Sequence, residues 1–232
     1  MAREGFIANL RRASRMLPPP RVTSGKGPDT DAYLSSILDS ADLWLTPGSV
    51  ADFNAADFAD WPKKDREELA REVASFRALA QQVPPDQPAI GTQSQQARKH
   101  LESIIDIVRR HLLPEWLDAQ QRMHEEAAAA AKTRGWYVER DEKQLTESLL
   151  GAYTAPRLRI KTTANEVVLE PIARFGSGGQ GVVDLLVMPT YERTHLLVFK
   201  DGSWEIVSPY GKLQPKPFTQ ATLINTITRL PH

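Results

Sequence analysis

A run of strand-like segments over residues 157–207 constrains the fold of this chain more than any other feature. Five segments have the β-branched and aromatic composition that strands favour: RLRIK, EVVLEPIARF, GVVDLLVM, THLLVFK and SWEIV. Turn-forming residues separate them, at Ala164-Asn165, residues 176–181, Pro189-Thr190 and Asp201-Gly202. Because Asp-Gly between two such segments is a strong hairpin signal, this stretch predicts a small antiparallel sheet.

The register of the last hairpin follows from its two-residue turn. A turn at Asp201-Gly202 pairs Lys200 with Ser203, and the pairing continues from Phe199 with Trp204 to Leu196 with Val207. Since side chains alternate between the two faces of a strand, we expect one face to form the core. That face carries Phe199, Trp204, Leu197 and Ile206.

Outside the sheet, apolar residues recur mostly at helical spacing. The pattern predicts five helices: 29–45, 63–82, one from Thr92 or Ser94 to near Gly135 with a kink or, more simply, a restart at Pro114, 141–150, and one that Thr219 caps. The fold class is therefore α+β, with a helical N-terminal part, a small antiparallel β-meander sheet and a C-terminal helix that covers it. We expect a basic N-terminal segment and linker over 1–29, a helical domain over 30–152 and the sheet domain over 153–232.

Arginines surround the apolar residues of the N-terminal segment, residues 3–17. This pattern is typical of a helix docked on the domain, but also of a membrane-surface anchor or an Arg-rich transit peptide. We expect a docked or frayed helix, because Gly5 weakens the segment.

Composition excludes several classes of site. The chain has no cysteine, which rules out disulfides, thiolate metal sites and cysteine nucleophiles. Its 29 basic and 29 acidic residues balance, so no overall field attracts nucleic acid or a membrane surface. No apolar run reaches the length of a membrane span. We therefore expect a cytoplasmic protein without metal or cofactor, for which nucleic acid is an unfavoured partner.

The glycine cluster at residues 176–181 matches G-x-G-x-x-G-x-V and resembles the glycine-rich loop of protein kinases. The chain has no H-R-D or D-F-G motif after it, and the glycines lead into a strand rather than a helix. We expect a hairpin loop.

His100 and His111 lie about 16 Å apart along one helix, too far to share a metal ion. Alternating Asp52, Asp57 and Asp60 are expected to be solvated.

Asp184 is a charged residue among apolar neighbours in the predicted strand VVDLLVM, where an unpaired charge is costly. Over roughly residues 147–200, this Asp and the downstream LLVFK segment resemble the core of PD-(D/E)xK nucleases. The resemblance implies that Asp184 and Lys200 are catalytic, with Glu147 or Glu170 as the upstream acid. Val198 occupies the family's second acidic position. Without that activity, we expect Asp184 to pair with Arg174 or Arg193.

Three functions remain open from the sequence. The first is a non-enzymatic protein-interaction or scaffold protein, whose partner we expect to be another protein. The second is a metal-dependent nuclease or a degenerate relative of one. The third is a small-ligand-binding domain that uses the loop at residues 176–181.

Overall fold

A computed structural model describes residues 2–17, 45–82, 92–176, 181–200, 202–208 and 214–230. The chain divides into two compact units, Met1–His111 and Leu112–His232. Several sequence predictions lie outside the described residues: the linkers at 21–29 and 83–88, most of the helix at 29–45, and residues 177–180 of the glycine loop. The domain limits at 29/30 and 152/153 remain a prediction.

The first unit contains α1 (Ala2–Met16), two short 3-10 helices (Pro47–Val50 and Ala55–Phe58), α2 (Lys63–Gln81) and the first part of α3 (Thr92–Thr133). Helix α1 is docked through an aromatic cluster, in which the Phe6 ring lies 5.7 Å from that of Phe58, centroid to centroid. Arg3 extends this contact with a 3.0 Å ion pair to Asp60. The N-terminal basic segment thus forms a helix that is packed within its unit.

The buried faces of α2 and α3 in the first unit consist of apolar residues at helical spacing. Helix α2 buries Leu69, Val73, Phe76 and Ala80. Helix α3 buries Ala97, Leu101, Ile104, Ile105 and Val108.

The second unit contains a seven-stranded antiparallel sheet in which every strand pairs with its neighbours in the chain. Its strands are β1 (Tyr137–Glu147), β2 (Gly151–Lys161), β3 (Glu166–Ala173), β4 (Gly181–Met188), β5 (Glu192–Lys200), β6 (Ser203–Val207) and β7 (Lys216–Pro217). Helix α4 (Gln220–Thr228) follows, and a capping box between Thr219 and Thr222 begins it. The helical N-terminal part, the meander sheet and the C-terminal helix confirm the predicted α+β class.

The predicted hairpin register is confirmed residue by residue. Phe199 lies opposite Trp204, Leu197 opposite Ile206 and Lys200 opposite Ser203. Phe199, Leu197 and Ile206 are buried, whereas Trp204 is half-buried. The second part of α3 packs on this face, where the Trp204 indole Nε1 donates a 3.1 Å hydrogen bond to the Ala119 carbonyl.

The predicted restart at Pro114 is wrong, because α3 runs through the proline without interruption. A proline inside a helix costs about 3 kcal/mol, since it removes a hydrogen bond and crowds the preceding turn. Leu112 and Trp116, on either side of it, are both buried and stay in phase on one face. Their burial offsets this cost. The helix ends in a Schellman motif at Gly135 (φ 68°), as predicted.

The predicted helix over 141–150 is also wrong, because most of this segment belongs to β1. The strand pairs with β2 from Tyr137 opposite Lys161 to Glu147 opposite Gly151. Asp141 is held by Arg157, whose Nε lies 2.6 Å from Asp141 Oδ1. Tertiary pairing therefore overrides the local preference of the segment, and the sheet begins upstream of residue 153.

Among the described residues, no helix combines the length and the apolar character that crossing a membrane requires.

Candidate functional site

One face of the sheet carries ten charged side chains that form ion pairs with one another, which we call the charged face. Alternation along the strands places these residues on the same side, and the register sets them opposite each other. Its members are Glu139, Asp141, Lys143, Arg157, Arg159, Lys161, Glu166, Glu170, Asp184 and Arg193. Five of these are acidic and five basic, so the face has no net formal charge. It therefore offers no strong field to a charged partner.

Asp184 lies on β4, on this face of the sheet, and is 2% exposed. Its Oδ2 accepts from Arg193, with Nε at 2.7 Å and Nη2 at 2.5 Å. Within the described part of the chain, its Oδ1 is buried and has no hydrogen-bond partner. Burial raises the pKa of the Asp184 carboxyl, and the hydrogen bonds from Arg193 only partly oppose this. The expected pairing with a neighbouring arginine is thus formed by Arg193.

Glu170 lies directly opposite Asp184 in the β3–β4 pairing. Its carboxylate accepts from Lys143 Nζ at 2.6 Å and from Arg157 Nη1 at 3.4 Å. Burial works to raise the pKa of Glu170, but the hydrogen bonds from Lys143 and Arg157 outweigh it and hold the pKa below its usual value. Cationic side chains therefore bind Asp184 Oδ2 and both carboxylate oxygens of Glu170, whereas Asp184 Oδ1 is buried and has no partner among the described residues.

The other two residues of the nuclease resemblance lie elsewhere. Lys200 is exposed at the end of β5, whereas Leu196 is the β5 residue opposite Asp184. Four residues of strand separate them, about 13 Å along β5. Glu147 binds the end of β3, accepting from the Arg174 and Phe175 backbone amides. The structure thus brings together Glu170 and Asp184 but not Lys200 or Glu147.

Two histidines of the first unit each lie beside a different carboxylate. His100 Nδ1 lies 2.7 Å from Glu72 Oε2, and His111 Nε2 lies 3.0 Å from Asp65 Oδ2. Across the described ranges, His, Asp and Glu side chains form no group of three that could hold a metal ion.

A second candidate site lies on α3, at Trp116, Gln120 and His124, which we call the polar row. The three residues are four positions apart, so their side chains follow one face of the helix at intervals of about 6 Å. All three are buried. Trp116 Nε1, both polar atoms of Gln120 and His124 Nε2 have no hydrogen-bond partner among the residues that the structure describes. Buried polar atoms are almost always satisfied in native proteins, so such a row indicates a missing partner.

The polar row is uncharged at neutral pH. Burial, and then the charge of Arg140, lower the pKa of His124 to about 4. The Tyr153 hydroxyl donates a 2.5 Å hydrogen bond to Glu147 Oε1. Burial, and then the hydrogen bond and charge of Glu147, raise the pKa of Tyr153 far above its usual value, although hydrogen bonding by the Trp116 side chain and the Arg174 backbone opposes the shift. The row therefore presents a neutral imidazole, an amide and an indole N–H, which suit hydrogen bonding rather than charge transfer.

Gly181, the last residue of the glycine cluster, lies against the start of the polar row. A Cβ atom on Gly181 would come within 2.4 Å of Trp116 Cζ3 and 3.1 Å of Phe199 Cβ. A glycine is therefore needed where β4 crosses the indole. This contact connects one described end of the predicted binding loop to the polar row.

Sequence reasoning did not single out the polar row. Its signal is two polar residues, Gln120 and His124, on the helix face that also carries Trp116, Met123 and Ala127. A polar residue on an apolar stripe is unusual, because its burial costs free energy unless it is hydrogen-bonded.

Comparison of the chain with protein-family models, with curated proteins and with solved structures found no match.

Proposed function

We propose that this chain is a non-enzymatic binding protein that holds a small, uncharged polar molecule against the polar row. The observation that carries the proposal is the set of buried, unpartnered polar atoms of Gln120 and His124, described above. Leaving one buried polar atom unsatisfied costs about 1–3 kcal/mol. A ligand that supplies the missing hydrogen bonds would recover much of this free energy on binding.

The chemistry of the row defines the ligand class. Gln120 supplies an amide donor and a carbonyl acceptor, and Trp116 supplies an indole donor. His124 is neutral, since its pKa is about 4, and its Nε2 can donate or accept according to its tautomer. A charged ligand would have to be desolvated without a buried counter-ion in the row. An uncharged amide, urea or alcohol satisfies all these groups without that cost.

The charged face supports a non-enzymatic role. Asp184 and Glu170, the acids that the nuclease resemblance would use, are bound to Arg193, Lys143 and Arg157. A catalytic carboxylate needs an open side for its substrate or metal ion, whereas these three cations bind three of the four carboxylate oxygens and the fourth, Asp184 Oδ1, is buried.

A thermal-shift screen of the full chain with a fragment library of uncharged amides, ureas and alcohols tests the proposal. We expect at least one fragment to raise the melting temperature of the wild type but not that of Gln120→Leu. Gln121→Leu is the matched control, because Gln121 is adjacent but exposed and hydrogen-bonds to Glu125. Internal water could satisfy the same atoms. In that case no fragment would separate Gln120→Leu from Gln121→Leu, and the proposal would be wrong.

A protein-interaction role is a second candidate, which the long, exposed edge strand β1 favours.

A further inference from the structure

Among the strands that the structure describes, β1 is at an edge of the sheet. It contains eleven residues, pairs with β2 on one side and is the terminal strand of the sheet among the described residues. Most of its side chains are exposed, and Tyr137, at 63%, is among the most exposed large apolar residues of the described chain. The outer backbone groups of such an edge can form a ladder with another strand. The side chains of β1 then decide which strand fits.

The sequence of β1 is complementary to itself. When two copies are placed antiparallel about Asp141, residues whose numbers add to 282 lie opposite each other and on the same face of the sheet. The opposed pairs are Arg140 with Glu142, Glu139 with Lys143, Tyr137 with Leu145, and Val138 with Gln144, and each occurs twice. This register gives four opposite-charge pairs and two aromatic–aliphatic pairs, both of which stabilise sheets.

We propose that β1 pairs antiparallel with β1 of a second copy of this chain, centred on Asp141, so that two sheets join into one. The pairing covers residues 137–145 of each copy. Nine opposed positions form about eight to ten backbone hydrogen bonds in an antiparallel ladder. The contact is isologous, as expected for a twofold dimer.

The neighbouring registers are less complementary. Centring the pair on Arg140 places Glu139 opposite Asp141 and Arg140 opposite itself, which juxtaposes like charges. Centring it on Glu142 places Glu142 opposite itself and loses both charge pairs of the Asp141 register, leaving Asp141 opposite Lys143 as the one kind of opposite-charge pair. The charge pattern therefore selects the register about Asp141.

The one unfavourable opposition in this register is Asp141 with its own copy. That carboxylate is already bound on its own chain by Arg157, at 2.6 Å, and by Arg159, at 3.2 Å. Two arginines on each side of the twofold axis thus screen the two carboxylates from each other.

The other charges are well placed for the contact. Arg140 and Glu142 are exposed and form no ion pair within the described ranges, so both are available to a partner. Glu139 is bound to Lys161 and Lys143 to Glu170. Pairing Glu139 with Lys143 of the other copy would therefore join the charged faces of the two copies into one network.

Charge reversal tests the register directly. The full chain would be studied by sedimentation equilibrium up to about 100 µM, where a dissociation constant in the micromolar range is measurable. We expect Arg140→Glu to weaken dimerisation by roughly tenfold or more, because it creates two Glu–Glu oppositions. Glu142→Arg should do the same through Arg–Arg oppositions. The double variant Arg140→Glu/Glu142→Arg restores opposite charges and should dimerise like the wild type.

Arg134→Glu is the matched control, since Arg134 is exposed, lies outside β1 and undergoes the same change of charge. It should dimerise like the wild type, and circular dichroism would verify that every variant is folded. A wild type that stays monomeric throughout this range overturns the proposal. So does a dimer that Arg140→Glu leaves unchanged, or one that the double variant does not restore. None of these results depends on whether the polar row binds a ligand.

Discussion

Asp184 and Glu170 face each other across β3 and β4, yet the pKa values of their carboxyls move in opposite directions. Asp184 is almost fully buried and, among the described residues, accepts only from Arg193, so desolvation dominates and raises its pKa. Glu170 accepts from both Lys143 and Arg157, and these hydrogen bonds lower its pKa. The balance between desolvation and the hydrogen bonds from neighbouring cations thus sets the direction of each pKa shift.

The pH dependence of stability should change when Asp184 is replaced. Because its folded-state pKa is raised, the stability that this group contributes is fully present below pH 3.8 and is lost as the pH rises through the folded value. We expect the free energy of unfolding of the wild type to fall relative to that of Asp184→Asn between about pH 4 and pH 7. Urea denaturation across this range measures the difference.

Asp141→Asn is the control of opposite sign. Hydrogen bonds from Arg157 and then Arg159 leave the pKa of Asp141 below 3.8, although burial opposes them. Its contribution is therefore present above pH 3.8 and lost as the pH falls through the folded value. If the two variants shift the pH profile in the same direction, the assignment of Asp184 as the desolvated group is wrong.

Divalent metal ions should leave the protein unchanged. The acid positions of the nuclease resemblance are filled by Arg193, Lys143 and Arg157, which repel a second cation. We expect millimolar Mg²⁺ or Mn²⁺ to leave the melting temperature of the wild type as it is, and plasmid and single-stranded DNA to remain uncut. Stabilisation by metal that Asp184→Asn abolishes, together with cleavage, would instead support a nuclease.

Gln120→Leu should stabilise the protein in the absence of ligand. Leucine has nearly the volume of glutamine and removes two buried polar atoms that have no described partner. Each such atom costs about 1–3 kcal/mol, so we expect a gain in unfolding free energy of about 1 kcal/mol or more. Chemical denaturation measures it. A loss of similar size would mean that ordered water satisfies Gln120.

Local chemistry explains why the last hairpin was predictable. The Asp-Gly dipeptide in the sequence predicts the register of β5 and β6 without reference to the rest of the chain, and Phe199 and Leu197 are buried as expected. Strand β1 has no comparable local signal. Its segment ERDEKQ does not alternate, and it forms a strand by pairing with β2, from which Arg157 and Arg159 also bind Asp141. A contact between segments sixteen or more residues apart is not visible in either segment alone.

The candidate sites, too, were predictable where the signal is local and not where it depends on tertiary contacts. The sequence pointed to Asp184 and to an arginine partner, because a charge in an apolar strand needs one, and Arg193 fills that role. It could not exclude Lys200, whose distance from Asp184 depends on the β4–β5 register. Gln120 and His124 are on a predictable helix face, but their missing partners become apparent only when the surrounding atoms are placed.

Gly181→Ala should destabilise the second unit. The new methyl group would meet Trp116 at 2.4 Å and Phe199 at 3.1 Å, and the indole is buried and cannot withdraw. Overpacking of this kind costs about 1–3 kcal/mol. Adding Trp116→Phe, which removes the nearest ring atoms, should recover part of the loss. If Gly181→Ala melts like the wild type, β4 does not cross the indole at this distance.

Protonation of His124 should lower the free energy of unfolding on mild acidification. Its folded-state pKa is about 4 against 6.5 when unfolded, so stability is fully present above pH 6.5 and is lost as the pH falls toward 4. The shift corresponds to roughly 3 kcal/mol over that window. His124→Leu should flatten this part of the profile, as followed by urea denaturation. An unchanged slope in the variant would assign the acid sensitivity to another group.

The strict sequence order of the sheet has a consequence for how the protein is made. Each strand from β2 onward needs only the strand before it as a template, so its loop closure is short. The nascent chain can therefore extend the sheet one strand at a time as it leaves the ribosome, with Trp116 already synthesised when β4 to β6 arrive to cover it. Translation itself would then order the assembly, and no strand has to wait for a distant partner.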